Sequence, residues 1–202
     1  MAAPASPAAL APGFADPVLD AQGVFRAVME ALARPGTLQA LPVTLAPPAP
    51  LTPGLAAVAL TLADHEAPLW LDARLAEAPA AAAWLRFHTG ARIVADARAA
   101  AFALIADPAD LPAFDAFALG DQAYPDRSTT LVLACERLDV TGGFTLAGPG
   151  IRETARLSAA PLPPDFLARW RANHALFPRG VDILLTQGGR VAGLPRATEI
   201  RE

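Results

Sequence analysis

Five short stretches of this 202-residue chain hold the side chains that could do chemistry. Asp64–His65–Glu66 sets two carboxylates beside an imidazole, a combination suited to acid/base work or a metal. Adjacent residues point in different directions, however, and no second ligand stands at metal-site spacing, so a cap at a helix C-terminus is the competing reading. Arg86 and His88 fall in Arg86–Phe87–His88–Thr89–Gly90, where Arg86 could fork onto a carboxylate or phosphate and His88 could donate or shuttle a proton. Two cations at a helix end also complement the helix dipole with no ligand at all. Gly148 and Gly150, in Leu146–Ala147–Gly148–Pro149–Gly150, offer open backbone amides to an anion or simply make a tight connection. In Phe177 to Asp182, Arg179 could face a phosphate that Asp182 orients; the plainer alternative is an Asp capping a turn with Gly180 at a strained backbone position. Arg196 and Thr198 follow an apolar segment and would share a face if that segment continued as a strand. There is no Ser/His/Asp arrangement, HExxH or CxxC pattern. No residue earns a catalytic assignment on these grounds, and no metal site is expected.

Elements must position these groups, and most are readable. Val24, Phe25, Val28, Met29 and Leu32 form a helical stripe from about Asp20 to Ala33, ended by Arg34–Pro35–Gly36. Thr37 to Val43 reads as a strand. Thr52 is an N-cap with Pro53 at the first helical position, starting a helix to about Ala63. A strand over Pro68 to Asp72 follows, then a helix from about Leu75 to His88 closed by Gly90. Ile93–Val94 and Ala101 to Ala106 are strand segments, with a short helix over Pro108 to Phe117. Ser128 to Cys135 is β-rich and continuously apolar, the pattern of a central strand. Phe144 to Ala147 reads as a strand, Pro164 to Leu176 as a helix. Val181 to Thr186 and Arg190 to Leu194 close as a hairpin across Gln187–Gly188–Gly189. Alternating helices and strands ending in a hairpin predict an α/β layered sandwich with a mixed central sheet. The Ala- and Pro-rich residues 1–16 read as a disordered leader before one domain over 17–202.

Composition excludes several mechanisms. All 16 basic residues are arginine. Without lysine the chain can form no Schiff base with pyridoxal phosphate and can build no Walker-type phosphate loop. One cysteine, Cys135, rules out an intrachain disulfide and four-thiolate iron–sulfur ligation. It sits in an apolar run and reads as a small buried hydrophobe. Net charge is −4 with both signs interspersed, which gives no electrostatic case for nucleic acid or an anionic membrane. The uncharged stretch from Pro35 to Ala63 is broken by five prolines between residues 42 and 53, too often for a membrane span of about 20 residues. No secretory signal is evident, so a cytoplasmic location is expected.

Seven stretches, in order, resemble the PhnH family: Gly23 to Thr37, Leu60 to Leu71, Leu85 to Ala91, Ser128 to Cys135, Leu146 to Ile151, Phe177 to Thr186 and Leu194 to Thr198. The chain is identified as similar to that family from near residue 20 to its end. His88, Gly180, Asp182, Arg196 and Thr198 fit the family pattern. Ala197 stands where a second hydroxyl residue is expected, and His65 where other side chains occur.

The resemblance implies a fold like a truncated large domain of pyridoxal-phosphate-dependent transferases, without the cofactor site and with no cofactor. It implies a homodimer in isolation and membership, with PhnG, PhnI and PhnJ, in the core complex of the carbon–phosphorus lyase pathway. That assembly makes ribose 1-methylphosphonate 5-triphosphate from ATP and methylphosphonate with release of adenine. The role implied is an accessory subunit of this multi-subunit transferase rather than a self-sufficient catalyst. The alternative kept beside it is a stand-alone binding protein or enzyme for a small anion or nucleotide.

Overall fold

A computed structural model describes residues 10–201. Asp16 caps the first helix, α1 (Pro17–Ala33), by accepting from the Val18 and Leu19 amides, with Pro17 at the first helical position. The helix therefore starts three residues before the position the apolar stripe suggests. Most of the expected leader lies outside the described residues. Its last part, 10–16, is anchored: the Ala11 carbonyl accepts from the Trp84 indole at 2.6 Å, and Phe14 packs against the core.

The strand expected over Thr37 to Val43 shortens to β1 (Gln39–Ala40), because Pro42 has no amide to give to a ladder. α2 (Pro53–Leu62) begins where Thr52 accepts from the Leu55 amide. After β2 (Leu69–Leu71), the single helix expected over Leu75 to His88 is two. Asp72 caps the short α3 (Ala73–Ala76). Pro79, unable to continue a helix but suited to its first turn, opens α4 (Pro79–Thr89), which ends on the left-handed Gly90.

Ile93 makes only a single bridge to Leu69 rather than a strand. β3 (Phe102–Ile105) leads into two 3₁₀ turns, Pro108–Asp110 and Phe114–Ala116, where one short helix is expected; Pro112 lies between them. β4 (Thr130–Ala134) is the central strand. The region after it departs most from expectation: β5 (Arg137–Ala147) is far longer than Phe144 to Ala147 and pairs with the unforeseen β6 (Ala155–Ala160). α5 (Phe166–His174), β7 (Asp182–Gln187), β8 (Arg190–Leu194) and β9 (Glu199–Arg201) complete the chain.

Six strands form one mixed sheet in the order β1-β8-β7-β4-β3-β2, with β2, β3, β4 and β7 parallel and β8 antiparallel to both its neighbours, β7 and β1. The strand period of two assigns its side chains to two layers. Leu104, Val132 and Leu184 face α1, α2 and α4. Ile105, Leu131, Leu133, Ile183 and Leu185 face α5 and a three-stranded sheet, β6-β5-β9. Burial on both faces explains why the central strands read as unbroken apolar runs. The fold is the expected layered α/β arrangement with a mixed sheet.

Candidate functional site

Asp182, Arg196 and Ser128 gather at one end of the sheet. Asp182 opens β7 and Ser128 precedes β4. Arg196 follows β8, whose end pairs with the start of β7 through Leu194 and Ile183. All three therefore lie at the amino-terminal ends of the parallel strands. Open α/β sheets more often take ligands at the carboxyl ends.

Arg196 is the hub of this edge. Its Nε donates to Asp182 Oδ1 at 3.1 Å and its Nη2 to Oδ2 at 2.5 Å, a two-pronged ion pair. Nη2 also donates to the Ser128 hydroxyl at 2.5 Å, and Nη1 donates to the carbonyls of Pro125 and Pro178 at 2.9 and 3.3 Å. The Arg196 amide donates to Asp182 Oδ1 at 2.7 Å, a third bond to this carboxylate. A guanidinium has five N–H donors, and all five are used here. The pair is partly buried, Arg196 side chain 12% and Asp182 24% exposed. Its chemistry is to clamp four segments: the turn at 125–128, the 177–179 loop, the start of β7 and the link after β8. The continuing strand that would bring Arg196 and Thr198 to one face does not form. Instead the Thr198 amide bonds back to the Pro195 carbonyl, and β9 belongs to the other sheet.

The neighbours of the clamp are equally committed to structure. Gly180, at φ 120°, lies against Asn173, whose side-chain amide both gives to and takes from Val181. Gly148 and Gly150 have φ values of 132° and 80°. A Cβ on Gly150 would collide with the Ala33 carbonyl oxygen, and one on Gly148 would approach Ala197 O at 2.9 Å. The glycines are thus needed for close approach of this turn to the end of α1 and to the link before β9. Two polar atoms, Arg179 Nε and Thr198 Oγ1, are buried with no hydrogen-bond partner among the described residues.

His88 does not join the clamp. Its Nε2 lies 3.0 Å from the Ala11 carbonyl oxygen, and its ring packs 4.5 Å from that of Trp84. Asp64 accepts from the Glu66 and Ala67 amides and so caps the turn before β2, while His65 and Glu66 point into solvent. Arg86 is exposed on α4 and lines a cleft of about 500 Å³ with Trp70, Leu71 and Ile93. Its guanidinium makes no hydrogen bond or ion pair among the described residues.

One buried carboxylate escaped the sequence reading. Asp72, only 7% exposed, caps α3 through Oδ1 and accepts from the Ala106 and Asp107 amides through Oδ2 at 2.8 and 2.9 Å. It ties the carboxyl ends of β2 and β3 beside a second cleft, lined also by Arg74, Glu77 and Asp110. An Asp directly after an apolar run and before Ala–Arg–Leu–Ala was the available cue. Cys135 is buried, and loss of solvation pushes its thiol up to about 12. Hydrogen bonding and charge from Arg169 hold Asp165 below the usual carboxylate range. Among the described residues no three His, Cys, Asp or Glu side chains are grouped to hold a metal ion, and no helix is long and apolar enough to cross a membrane.

Comparison with known proteins adds to this geometry. Residues 12–201 match the model of the family described as bacterial phosphonate metabolism protein (PhnH). The alpha-D-ribose 1-methylphosphonate 5-triphosphate synthase subunit PhnH of Rhizobium meliloti (strain 1021) is 48% identical over 189 residues, 93% of each chain. The putative C-P lyase subunit protein HtxG of Stutzerimonas stutzeri is 34% identical over 82 residues, 41% of this chain and 42% of that one.

Proposed function

The chain belongs to the PhnH family of bacterial phosphonate metabolism proteins, and we propose that it acts as an accessory subunit of ribose 1-methylphosphonate 5-triphosphate synthase. The synthase would join ATP and methylphosphonate with release of adenine, within carbon–phosphorus lyase metabolism. The observation that carries this reading is the likeness, along nearly the whole of both chains, to a relative whose name makes it a subunit of that synthase. The geometry favours a supporting role. The best-placed cation, Arg196, spends every donor on its own fold, and His88 rests on the Ala11 carbonyl. We extend the proposal to PhnG, PhnI and PhnJ as partners, to a homodimer when the chain is alone and to a cytoplasmic setting. Kinship of the sheet with the large domain of pyridoxal-phosphate transferases belongs to the same proposal, and the absence of lysine fits a lineage without the cofactor. Co-expression with the other subunits tests it. Stoichiometric co-elution through size-exclusion chromatography is the expected result, and a chain that always elutes apart from them overturns it.

A second reading rests on Arg86, whose guanidinium lines a cleft and has no partner among the described residues. It takes the chain as a binder of small anions or nucleotides. Calorimetric titration with ATP and with methylphosphonate decides: micromolar binding lost in Arg86→Ala supports this reading, and no heat from either ligand removes it.

A further inference from the structure

The first helix is apolar over more of its surface than the fold buries. At 100° per residue, the arc from Ala27 through Val24, Val28, Phe25 and Val18 to Met29 covers about 200° of the helix, whereas the buried residues Val24, Ala27, Val28 and Ala31 cover about 100°. The surplus half is open: Val18 is 63% exposed, and Phe25 and Met29 are each 50% exposed. Spaced at 18, 25 and 29, these side chains form one stripe. With Ala21 and with Thr61 of α2, Phe25 and Met29 line a groove of about 510 Å³ between the two helices. A monomer that keeps such a stripe in water bears a cost that a partner would remove.

Charge specifies the partner. Arg26 lines the same groove. Its natural counterion one turn on, Glu30, is already bonded to Arg34 Nε at 2.9 Å. The Arg26 guanidinium makes no hydrogen bond or ion pair among the described residues, so the groove presents a cation with no carboxylate to meet it. The open stripe is one helix long and one helix wide, which fits a single packed helix better than a broad domain face.

We propose that this groove receives an amphipathic helix of another subunit of the synthase, with apolar residues at i, i+3 or i+4 and i+7 and a carboxylate that pairs with Arg26. The inference rests on the subunit reading above and adds the surface and the chemistry of its partner. Docking of this kind buries Phe25 and Met29 as anchors and leaves the Arg196 clamp untouched, since the clamp lies at the amino edge of the sheet.

The test is co-elution of the full chain with the other synthase subunits, comparing wild type with Phe25→Asp and Arg26→Glu. Both positions are exposed, and a thermal melt confirms that each variant folds. The expected result is at least a tenfold loss of association for Phe25→Asp and a smaller, salt-dependent loss for Arg26→Glu. Slower hydrogen exchange in the loop after α1 and at solvent-side amides of α1 on assembly is also expected. If the wild type co-elutes and folded Phe25→Asp does so equally well, the groove is not the docking site, although the subunit reading stands. If the wild type never co-elutes, the subunit reading itself falls. If Phe25→Asp only turns a dimer of the isolated chain into a monomer and leaves the complex intact, a second copy covers the groove and the proposal is wrong.

Discussion

Replacing Asp182 by alanine removes the acceptor of three N–H bonds, from the Arg196 amide, Nε and Nη2, and strands a guanidinium that is only 12% exposed. Breaking a buried ion pair from one side costs about 3–5 kcal/mol, because the remaining charge has lost both water and partner. Asp182 is itself 24% exposed, so water returns part of the lost solvation and the low end, about 3 kcal/mol, applies. For a chain of this length each kcal/mol moves the melting temperature by about 2–4 °C, which predicts a fall of about 6–12 °C. Arg196→Lys should lose about half as much: an ammonium keeps the charge but cannot span Asp182, Ser128 and the two carbonyls together. Urea melts of the two alanine variants and their double mutant give the coupling directly, expected at about 2 kcal/mol or more. If Arg196→Ala melts within 0.5 kcal/mol of wild type, yet abolishes assembly or ligand binding, the clamp is functional rather than structural and the reasoning fails.

Asp72→Ala should cost about 2–4 kcal/mol, since three backbone amides lose their acceptor at a buried site; a melt indistinguishable from wild type would contradict the tie between β2 and β3. Gly150→Ala meets both a positive φ and the Ala33 carbonyl, so it should destabilise by about 2 kcal/mol or more while Gly188→Ala, in open space, loses less. Cys135, held neutral with its thiol pushed up to about 12, should resist a thiol-specific disulfide reagent at pH 8 in the folded protein and react fully in denaturant. Stoichiometric labelling of the folded chain within seconds would refute its burial. The sign of its pH dependence follows: the unfolded thiol ionises near its ordinary value of about 8.5, so its contribution to stability is intact below that pH and is lost as pH rises toward 12.

Local signals carried most of the fold. Thr52–Pro53 marked the start of α2, Gly90 the end of α4, and the apolar run ending in Cys135 the central strand, because each is set by residues within one turn or one strand. The small sheet was harder to see. β6 reads Ala–Arg–Leu–Ser–Ala–Ala, without the β-branched or aromatic residues that signal a strand, and β5 is interrupted by Gly142–Gly143 and a register shift between Asp139 and Phe144. Tertiary pairing overrides weak propensity there. At the candidate site, the residue types at 179, 182, 196 and 198 were legible, whereas their partners were not. Arg196 meets Pro125 and Ser128 across roughly 70 residues of chain, and Trp84 meets Ala11 across 73; such pairings depend on the folded arrangement of the sheet. The break between α3 and α4 was available at Pro79 and shows how one proline outweighs a continuous run of alanines.

The central claim is that this chain works as a supporting subunit, and adenine release tests it most directly. Purified chain, the remaining synthase subunits, and the two combined are each given ATP and methylphosphonate, and adenine is quantified by chromatography. A supporting subunit gives no turnover by the chain alone and a higher rate from the assembled mixture than from the mixture lacking it. Adenine released by the chain alone, or a rate unchanged when the chain is left out, would rule out a supporting role.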